Sequence, residues 1–488
     1  MKQYAPSREW IRVYTNQSTI IPKEKIRDII MCDYMKQNCL KLITILSTIF
    51  CLTACQGQNK GSLSGDYSEV IKKLKVTELR NPDGLDHTVA RTRLNDPNYY
   101  NFKDKMRVFS TKMSESFIKS DYDANKNITI SPLSIEMCLG LAVYCANGQT
   151  RTELLNALDV NYATFNKYYK LLFNELSSLT KDPAGDISSE LSLTNSIWID
   201  DDINLSEKGL DDLKNNYYCH SFSADFNGNN ENTTKAIEYF IEEKTHGLIK
   251  PDLQFSLETL FVLMNTLYLK DIWNDYGSDL STTTEYKFKN ANGVTSNKEL
   301  LVGYSMNGKT LETDDYSCFY TSTNHGKYIY FVKPNEGKAL KDAFNKEAMQ
   351  NVLNNKNYIY QDDEKLERYH TNCVFPEFKA DADINLIPMF TRDLNVTSLF
   401  DPMKCDFSNI MQEPTPGYVE QFKHIAKLDV NRTGIEGAAV TYMAYAGAVG
   451  PDEYTDVYET FVVDQEFGFI LTNYDGDVIF SGAVTNID

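Results

Sequence analysis

The sequence predicts an α+β fold, and three observations support that prediction. Apolar residues recur at helical spacing between Phe102 and Phe117, which is typical of an amphipathic helix. Residues 261–270 are almost all apolar, which indicates a strand covered on both faces. Near the C-terminus, the small residues from Gly434 to Thr441 alternate like a strand, although they lie in a long connection between two apolar runs. Helices and a buried sheet are therefore both expected.

The N-terminal residues have the pattern of a secretion signal. A basic segment at 35–41 precedes an apolar run at 42–51 that is too short to span a bilayer, and Leu-Thr-Ala then precedes Cys55. This arrangement is similar to the bacterial lipoprotein signal, in which the cysteine is acylated and becomes the first mature residue. We therefore expect residues 1–54 to be an upstream extension and a signal peptide. Lipid on Cys55 would then anchor the protein to a bacterial cell envelope.

The remainder of the chain is strongly acidic. Residues 1–54 carry eight Lys/Arg and four Asp/Glu, so the net charge of the rest is −23, against −19 for the whole chain. Such a charge argues against nucleic-acid binding and implies that membrane attachment comes from lipid rather than from basic patches. Residues 55–97 are polar and weakly periodic, as expected of a tether. One folded domain, a monomer, is expected at residues 98–488.

The predicted elements of this domain follow from local patterns. Residues 127–130 form a short strand. Ser131 and Pro132 then begin a helix that continues to about Asn147, because serine is a good N-cap and proline is favoured at the first helical position. The other elements predicted from apolar periodicity are a strand at 193–199, a helix at 236–249, the buried strand at 261–270, and strands at 419–430, 461–471 and 478–484.

Several of these segments together resemble the serpin family. The similar motifs are the Asn-x-x-x-Ser-Pro-x-Ser-Ile run at 127–135, the helix at 237–249, the central strand with Asn265 and the following Trp273, and the small-residue segment at 434–441. The helix departs from the family at Glu238 and Phe240, where Asn and Trp are usual. The resemblance covers about residues 98–488. It implies a serpin fold with eight to nine helices around three β-sheets, a large mixed central sheet, and an exposed reactive loop at about 431–460.

The resemblance also implies a suicide inhibitor of proteases. In serpins a target protease cleaves the exposed loop and is held as a covalent acyl-enzyme, while the loop's hinge inserts into the central sheet and distorts the protease. As a strand, the hinge would place Ile435 and every second residue after it on one face, and Glu436 and its alternates on the other. The matching hinge residues are Gly434, Ile435, Glu436, Gly437, Ala438, Ala439, Val440 and Thr441.

The loop departs from the family pattern in three ways. Ile435 stands where inhibitory members usually have Thr or Ser, and it is bulkier but still apolar. Arg432 replaces the glutamate that usually opens the hinge, so the usual salt bridge there is in question. The arm after the hinge is also several residues longer than usual.

The position of the reactive bond depends on which end of the loop is counted from. The family's spacing from the hinge predicts a bond between Ala448 and Val449, whereas counting back from the C-terminal strand places it near Thr455. We prefer the count from the hinge, because the length of loop that inserts fixes how far the protease is carried. Small residues before Val449 suit elastase-like or subtilisin-like serine proteases, with papain-like cysteine proteases as a further candidate class. The absence of Lys and Arg between Thr433 and Gln465 argues against a trypsin-like target.

A second group of residues is implied to control the opening of the central sheet: Ser131, Ser134, Asn265, His424 and Trp273. Serpins keep a histidine that hydrogen-bonds the central-strand asparagine where the sheet parts, and His424 and Asn265 match those positions. The alternative for His424 is an ordinary polar residue on a strand face. Neither interpretation makes it catalytic.

The sequence carries no enzyme motif. Its six histidines form no HExxH, and neither a Gly-x-Ser-x-Gly elbow nor a phosphate-binding glycine loop occurs. The run Asp121-x-Asp123-x-Asn125 imitates a calcium loop but has Lys126 and Pro132 where glycine and glutamate are needed. We expect a protein that is not an enzyme and has no cofactor or metal. The alternatives are a non-inhibitory serpin-fold binding or substrate-like protein, and a carbohydrate-binding envelope lipoprotein, which would not explain the order of motifs.

Overall fold

The computed structural model describes residues 67–85, 96–181, 185, 187–273, 279–413, 416–436 and 454–488, all within the unit Gly65–Asp488. Residues 437–453 of the predicted loop, and Cys55, lie outside the described residues. Among the described residues none of the helices is long and apolar enough to cross a membrane. The α-helices are α1 (Tyr67–Lys73), α2 (Pro97–Asp121), α3 (Pro132–Cys145), α4 (Gly148–Ala157), α5 (Tyr162–Leu176), α6 (Glu207–Tyr217), α7 (Asn230–Lys244), α8 (Leu340–Ala343), α9 (Lys346–Val352) and α10 (Ile387–Asp393).

The described strands form two hydrogen-bonded sheets. The strands are β1 (Thr77–Arg80), β2 (Ile128–Ile130), β3 (Ser178–Lys181), β4 (Ile187–Asp200), β5 (Cys219–Ala224), β6 (Phe261–Ile272), β7 (Ser281–Thr283), β8 (Leu300–Val302), β9 (Met306–Asn307), β10 (Leu311–Glu312), β11 (Tyr316–Ser322), β12 (Tyr328–Pro334), β13 (Gln361–Asp362), β14 (Glu367–Phe375), β15 (Phe378–Asn385), β16 (Lys423–Val430), β17 (Gly434–Ile435), β18 (Thr455–Val462), β19 (Phe467–Thr472) and β20 (Val478–Val484).

The larger sheet is mixed and runs in the order β1-β5-β4-β6-β17-β16-β15-β2-β20-β19-β12-β11-β10, with β3 beside β4. Strand β4 is parallel to β5 and antiparallel to β6. A single register pair, Asp381 with Ile128, joins β15 to β2. The first seven strands of this order, called the central sheet below, are therefore almost separate from the remainder. The smaller sheet contains β13, β14, β8 and β7, with β18 and β9 paired to β14.

The described sheets and the α-helices confirm the α+β prediction. Strand β6 lies at the predicted place, and the predicted start of α3 is also confirmed. The hydroxyl of Ser131 accepts the backbone N–H of Ser134 at 3.2 Å, and Pro132 occupies the first turn. Nearly every residue of α3 is buried, because this apolar helix packs beneath β6 and β20. It therefore forms the floor under the middle of the central sheet.

The segment that was expected to be a polar tether is partly folded. Helix α1 buries Val70 and Ile71 in a cluster with Phe222 of β5 and Phe240 of α7, and β1 pairs antiparallel with β5. A hydrogen bond from the Asn229 side chain to the carbonyl of Leu74, 3.1 Å long, ties the same segment to α7. Residues 67–80 therefore extend the central sheet at its outer edge.

Candidate functional site

The beginning of the hinge is already a strand of the central sheet. Gly434 and Ile435 form β17, which pairs antiparallel with the end of β6 through Ile272 and Asp271. On its other side Ile435 pairs with Val430 of β16. The side chain of Ile435 is 0% exposed, so it faces the core as the alternation predicted.

The turn into β17 is formed by the side chain of Asn431. Its Oδ1 accepts the backbone N–H of Thr433 at 2.9 Å and that of Gly434 at 3.3 Å, and also the Thr433 hydroxyl at 2.7 Å. Asparagine is favoured in such turns because its side chain can replace a backbone acceptor. The chain thus reverses directly from β16 and returns alongside it.

Gly434 is required by a close approach of backbones. A Cβ at this position would clash with the carbonyl oxygen of Asp271 and lie 2.9 Å from the Cα of Ile272. Only a residue without a side chain therefore allows β17 to enter beside β6. The conformation of Gly434 is otherwise ordinary, so the constraint comes from packing.

Glu436 is the last described residue of the hinge, and it leaves the strand geometry. Its backbone has φ of 45°, in the left-handed region, while its N–H still donates to the carbonyl of Asp429 at 3.0 Å. The carboxylate is half-buried; its Oε1 lies 3.5 Å from the Tyr268 hydroxyl, and its Oε2 has no hydrogen-bond partner among the described residues. Burial and the neighbouring Asp429 carboxylate raise the pKa of Glu436.

Below β17 the central sheet has a gap between β6 and β16. No register pair joins these two strands among the described residues; only β17 bridges them. A cavity of about 130 Å³ lies between residues 262–267 of β6 and residues 423–427 of β16, and a second of about 370 Å³ continues toward the start of β6. Ile135 and Cys138 of α3 contribute to the floor of the first cavity, and α7 contributes Ile241. The gap has the place and direction of a missing strand.

Four of the five predicted sheet-opening residues line this first cavity: Ser131, Ser134, Asn265 and His424. The His424 ring is buried, and its Nε2 accepts the backbone N–H of Ser131 at 3.1 Å. Burial lowers the pKa of His424 to about 4, so the ring is neutral at physiological pH.

The expected hydrogen bond between His424 and Asn265 does not occur in the described arrangement. The side-chain N–H of Asn265 donates instead to Oδ1 of Asn195 on β4 at 3.0 Å, and the backbone carbonyl of Asn265 accepts the Ser134 hydroxyl at 3.3 Å. Its own Oδ1 is buried with no partner among the described residues. Both residues line the first cavity, which lies between β6 and β16 at this level.

Trp273 belongs to the hinge start and not to the gap. Its indole Nε1–H donates to the carbonyl of Asn431 at 2.7 Å, and its ring packs edge-on against Phe375 at 5.5 Å. Trp273 therefore supports the turn that precedes β17. The structure separates it from the other four predicted residues, which line the first cavity from β6 (Asn265), from β16 (His424) and from the start of α3 (Ser131 and Ser134).

The sequence reasoning missed Asp271, which anchors the end of β6. This carboxylate is 0% exposed, accepts the Thr323 hydroxyl at 2.8 Å and lies 2.8 Å from Nδ1 of His325. Its backbone pairs with Ile435. An aspartate at the end of an apolar strand was the available signal, but its partners lie more than fifty residues away in the sequence.

Arg432, which stands where the family usually has glutamate, contacts its neighbours mainly through its backbone. Its backbone N–H donates to the carboxylate of Glu377 at 2.7 Å, and its half-exposed guanidinium lies 4.0 Å from Glu299. The carbonyl of Arg432 accepts the N–H of Leu280 at 2.9 Å. Residue 432 is therefore held mainly through its own backbone N–H and carbonyl, which any residue except proline would provide.

Comparisons with known proteins agree with this geometry. The sequence matches the family described as Serpin (serine protease inhibitor) over residues 104–487. An alpha-1-antitrypsin-like protein of Ictidomys tridecemlineatus is 29% identical over 335 residues, which cover 65% of this chain and 74% of that relative. The native structure of the thermophilic serpin tengpin has a TM-score of 0.64 at 20% identity and covers 84% of this chain and 100% of its own. The thyroxine complex of thyroxine-binding globulin has a TM-score of 0.63 at 19% identity, with 79% and 99% covered. At these identities the two structures show a shared fold alone.

Proposed function

The chain belongs to the serpin family, and on that basis we propose that it is a suicide-substrate inhibitor of elastase-like or subtilisin-like serine proteases. Members of this family are generally protease inhibitors and not enzymes, so a protease is the expected partner. One observation carries the proposal for this chain. The hinge start, Gly434 and Ile435, occupies the top of a gap between β6 and β16 that no described residue fills.

The register of β17 predicts where the remaining hinge residues would lie after insertion. Both pairings of β17 are antiparallel, so for each step forward along the hinge the neighbouring positions on β6 and β16 move one residue back toward the N-terminus. Ile435 is level with Asp271 and Val430; six residues on, Thr441 would be level with Asn265 and His424. The one polar residue on the inward face of the hinge would thus meet the polar pair in the gap.

In this alignment insertion would form a new hydrogen bond that stabilises the inserted strand. The Thr441 hydroxyl can donate to Oδ1 of Asn265, which has no partner among the described residues. Leaving such an atom unpaired costs about 1–3 kcal/mol, so its satisfaction favours the inserted strand. The other inward-facing residues of the hinge, such as Ala439, are apolar and would fill the space between β6 and β16 without burying charge.

The reactive bond is proposed to join Ala448 and Val449. The test is to mix the soluble chain from Gln56 onward with pancreatic elastase and with subtilisin, followed by denaturing gels and mass spectrometry. A covalent complex that survives denaturation, with a released peptide beginning at Val449, is the expected result. Cleavage without a complex, and without a rise in melting temperature after cleavage, would show that the loop is only a substrate.

A non-inhibitory serpin is the second candidate, and Glu436 is the observation that favours it. Its left-handed backbone and half-buried carboxylate interrupt the strand at the point from which insertion must propagate. A chain that cannot pass this point would keep the fold and serve as a binding or substrate-like protein. The same elastase experiment separates the two candidates, because the second predicts a cut chain of unchanged stability.

We further propose that the protein is attached to a bacterial cell envelope through lipid on Cys55. The support is the sequence alone, namely the basic segment, the short apolar run and Leu-Thr-Ala before the cysteine. Metabolic labelling with a fatty acid should mark the wild-type chain and not the Cys55→Ser variant. Labelling of both would exclude this cysteine as the acylated residue.

A further inference from the structure

Strand β18 and its neighbour β14 form an exposed face that the function described so far does not use. Strand β18 begins at Thr455, directly after the loop, and pairs in parallel with β14. Asp456 and Tyr458 are register partners of Arg368 and His370, so these side chains share one face. We call this surface, together with the adjoining β13–β14 hairpin, the post-loop face.

Aromatic side chains form a row across the post-loop face. The rings of His370 and Tyr458 stack with centroids 5.2 Å apart, and Tyr360 meets His370 edge-on at 6.2 Å. Tyr458 is 71% exposed and Tyr360 is 39% exposed. Tyrosine, with tryptophan and arginine, is enriched among the few residues that dominate protein–protein binding energy.

Carboxylates surround this aromatic row. Residues 361–370 and 454–462 together contain six Asp/Glu and two Lys/Arg. Asp456 lies beside the row, 3.1 Å from Nε2 of His370, and is already paired with the Arg368 guanidinium at 3.2 Å. Asp363 at the hairpin accepts the Tyr454 hydroxyl at 2.8 Å. Glu364 at the same hairpin is exposed. A partner with complementary charge would present arginine or lysine, which can stack on a tyrosine ring and pair with the carboxylates.

The post-loop face lies within reach of a protease bound at the reactive bond. Six residues lie between Ala448 and Thr455, so these two positions are at most about 25 Å apart. A protease domain of roughly 220 residues has a radius of gyration of about 17 Å. A protease engaged at Ala448 can therefore contact the start of β18 with the surface next to its active-site cleft.

We propose that the post-loop face is a second binding surface for the target protease, and that it engages a basic patch beside the protease's active site. This inference rests on the proposed inhibitory function and adds the charge of the partner. The loop selects the active site by its small residues, and the post-loop face selects among proteases of that class by charge. It accelerates the encounter, because complementary charge raises association rates by about 10- to 10³-fold at low salt.

The variants should act on encounter and not on the later insertion. Tyr458→Ala tests the aromatic row, and Asp363→Asn with Glu364→Gln tests the charge. The matched controls are Tyr474→Ala, because Tyr474 is 76% exposed on another part of the surface, and Asp342→Asn with Glu347→Gln on α8 and α9.

The probe is an elastase-type serine protease with a basic patch beside its cleft, used together with a form in which those lysines and arginines are replaced by glutamine. We expect Tyr458→Ala to lower the second-order rate of complex formation about tenfold. The Asp363/Glu364 double variant should lower the slope of that rate against salt concentration. The stoichiometry of inhibition should stay unchanged in both, and the neutralised protease should not distinguish any variant from the parent.

Rates for Tyr458→Ala within twofold of those for Tyr474→Ala would overturn the proposal. A dimer of this chain that is lost on Tyr458→Ala would overturn it too, because the face would then bind a second copy. Binding of the protease with its catalytic serine replaced by alanine is measured for the same variants. That measurement tests the post-loop face even if no covalent complex forms, so failure of inhibition and failure of the second surface are distinguished.

Discussion

A charge on the inward face of the hinge should block inhibition, while the same charge one residue earlier should not. Ile435 is buried and faces the core, so a hinge that inserts as a continuation of β17 would turn Ala439 inward and Ala438 outward. In the inserted register Ala439 would be level with Leu267 and Ala426, both of which are buried. Ala439→Glu and Ala438→Glu are therefore a matched pair that differs only in direction.

The expected magnitude follows from the two environments. An inward carboxylate at Ala439 would be desolvated between Leu267 and Ala426 with no cation beside it, at a cost of roughly 4 kcal/mol. If that cost appears in the barrier, insertion slows about 10³-fold, and hydrolysis of the acyl-enzyme then precedes trapping. An outward carboxylate at Ala438 would come level with the buried Tyr268 on β6 and with the exposed Lys427 on β16, whose ammonium group can pair with it.

The assay is the stoichiometry of inhibition, the number of inhibitor molecules consumed for each protease molecule inactivated. Ala439→Glu should be cleaved with almost no covalent complex, whereas Ala438→Glu should inhibit with a stoichiometry near that of the parent. Both variants should have the parent's melting temperature before cleavage. Equal effects of the two substitutions, or a larger effect at Ala438, would refute the inward orientation and with it the register deduced from β17.

Three further predictions concern the described residues. Gly434→Ala should displace the hinge start from β6, because its Cβ would clash with the Asp271 carbonyl, and should increase proteolysis of the adjoining turn. His424 has a pKa of about 4 in the folded chain and about 6.5 unfolded, so protonation favours unfolding; stability should fall by up to about 3 kcal/mol as the pH drops from 6.5 to 4, and His424→Gln should reduce that slope in urea titrations. Ile71→Ser in α1 should lower the free energy of unfolding by about 2–4 kcal/mol in the same titrations, while Lys72→Ser, exposed on the same helix, should have little effect.

Local patterns were enough for most of the fold. The start of α3 follows from a serine and a proline placed as helix caps require, and β6 follows from uninterrupted apolar residues. The inward orientation of Ile435 follows from the two-residue period of a strand. These predictions held because each depends on chemistry within a few residues of the position concerned.

The sequence did not predict features whose partners lie far along the chain. In α1 and β1 a few apolar residues are separated by polar ones, and only the distant surfaces of β5 and α7 make them worth burying. The sequence predicts a loop as far as residue 460, whereas β18 already begins at Thr455. The strand is hard to detect in the sequence because it exposes alternate polar residues from Asp456 onward. Trp273 was grouped with the gap because it follows β6 in sequence, whereas its hydrogen bond goes to the turn at Asn431.

The polar atoms in the gap argue that the central sheet is built to hold one more strand. An apolar cavity alone could be closed by larger side chains, since interiors tend toward close packing. Asn265, however, buries an Oδ1 with no partner among the described residues, and His424 faces it with no direct contact. The amide N–H of Asn265 already donates to Oδ1 of the buried Asn195, so asparagine has one role in this arrangement. The unpaired Oδ1 would gain a partner only in a second arrangement, and the register of β17 would bring the Thr441 hydroxyl to that level if the hinge filled the gap.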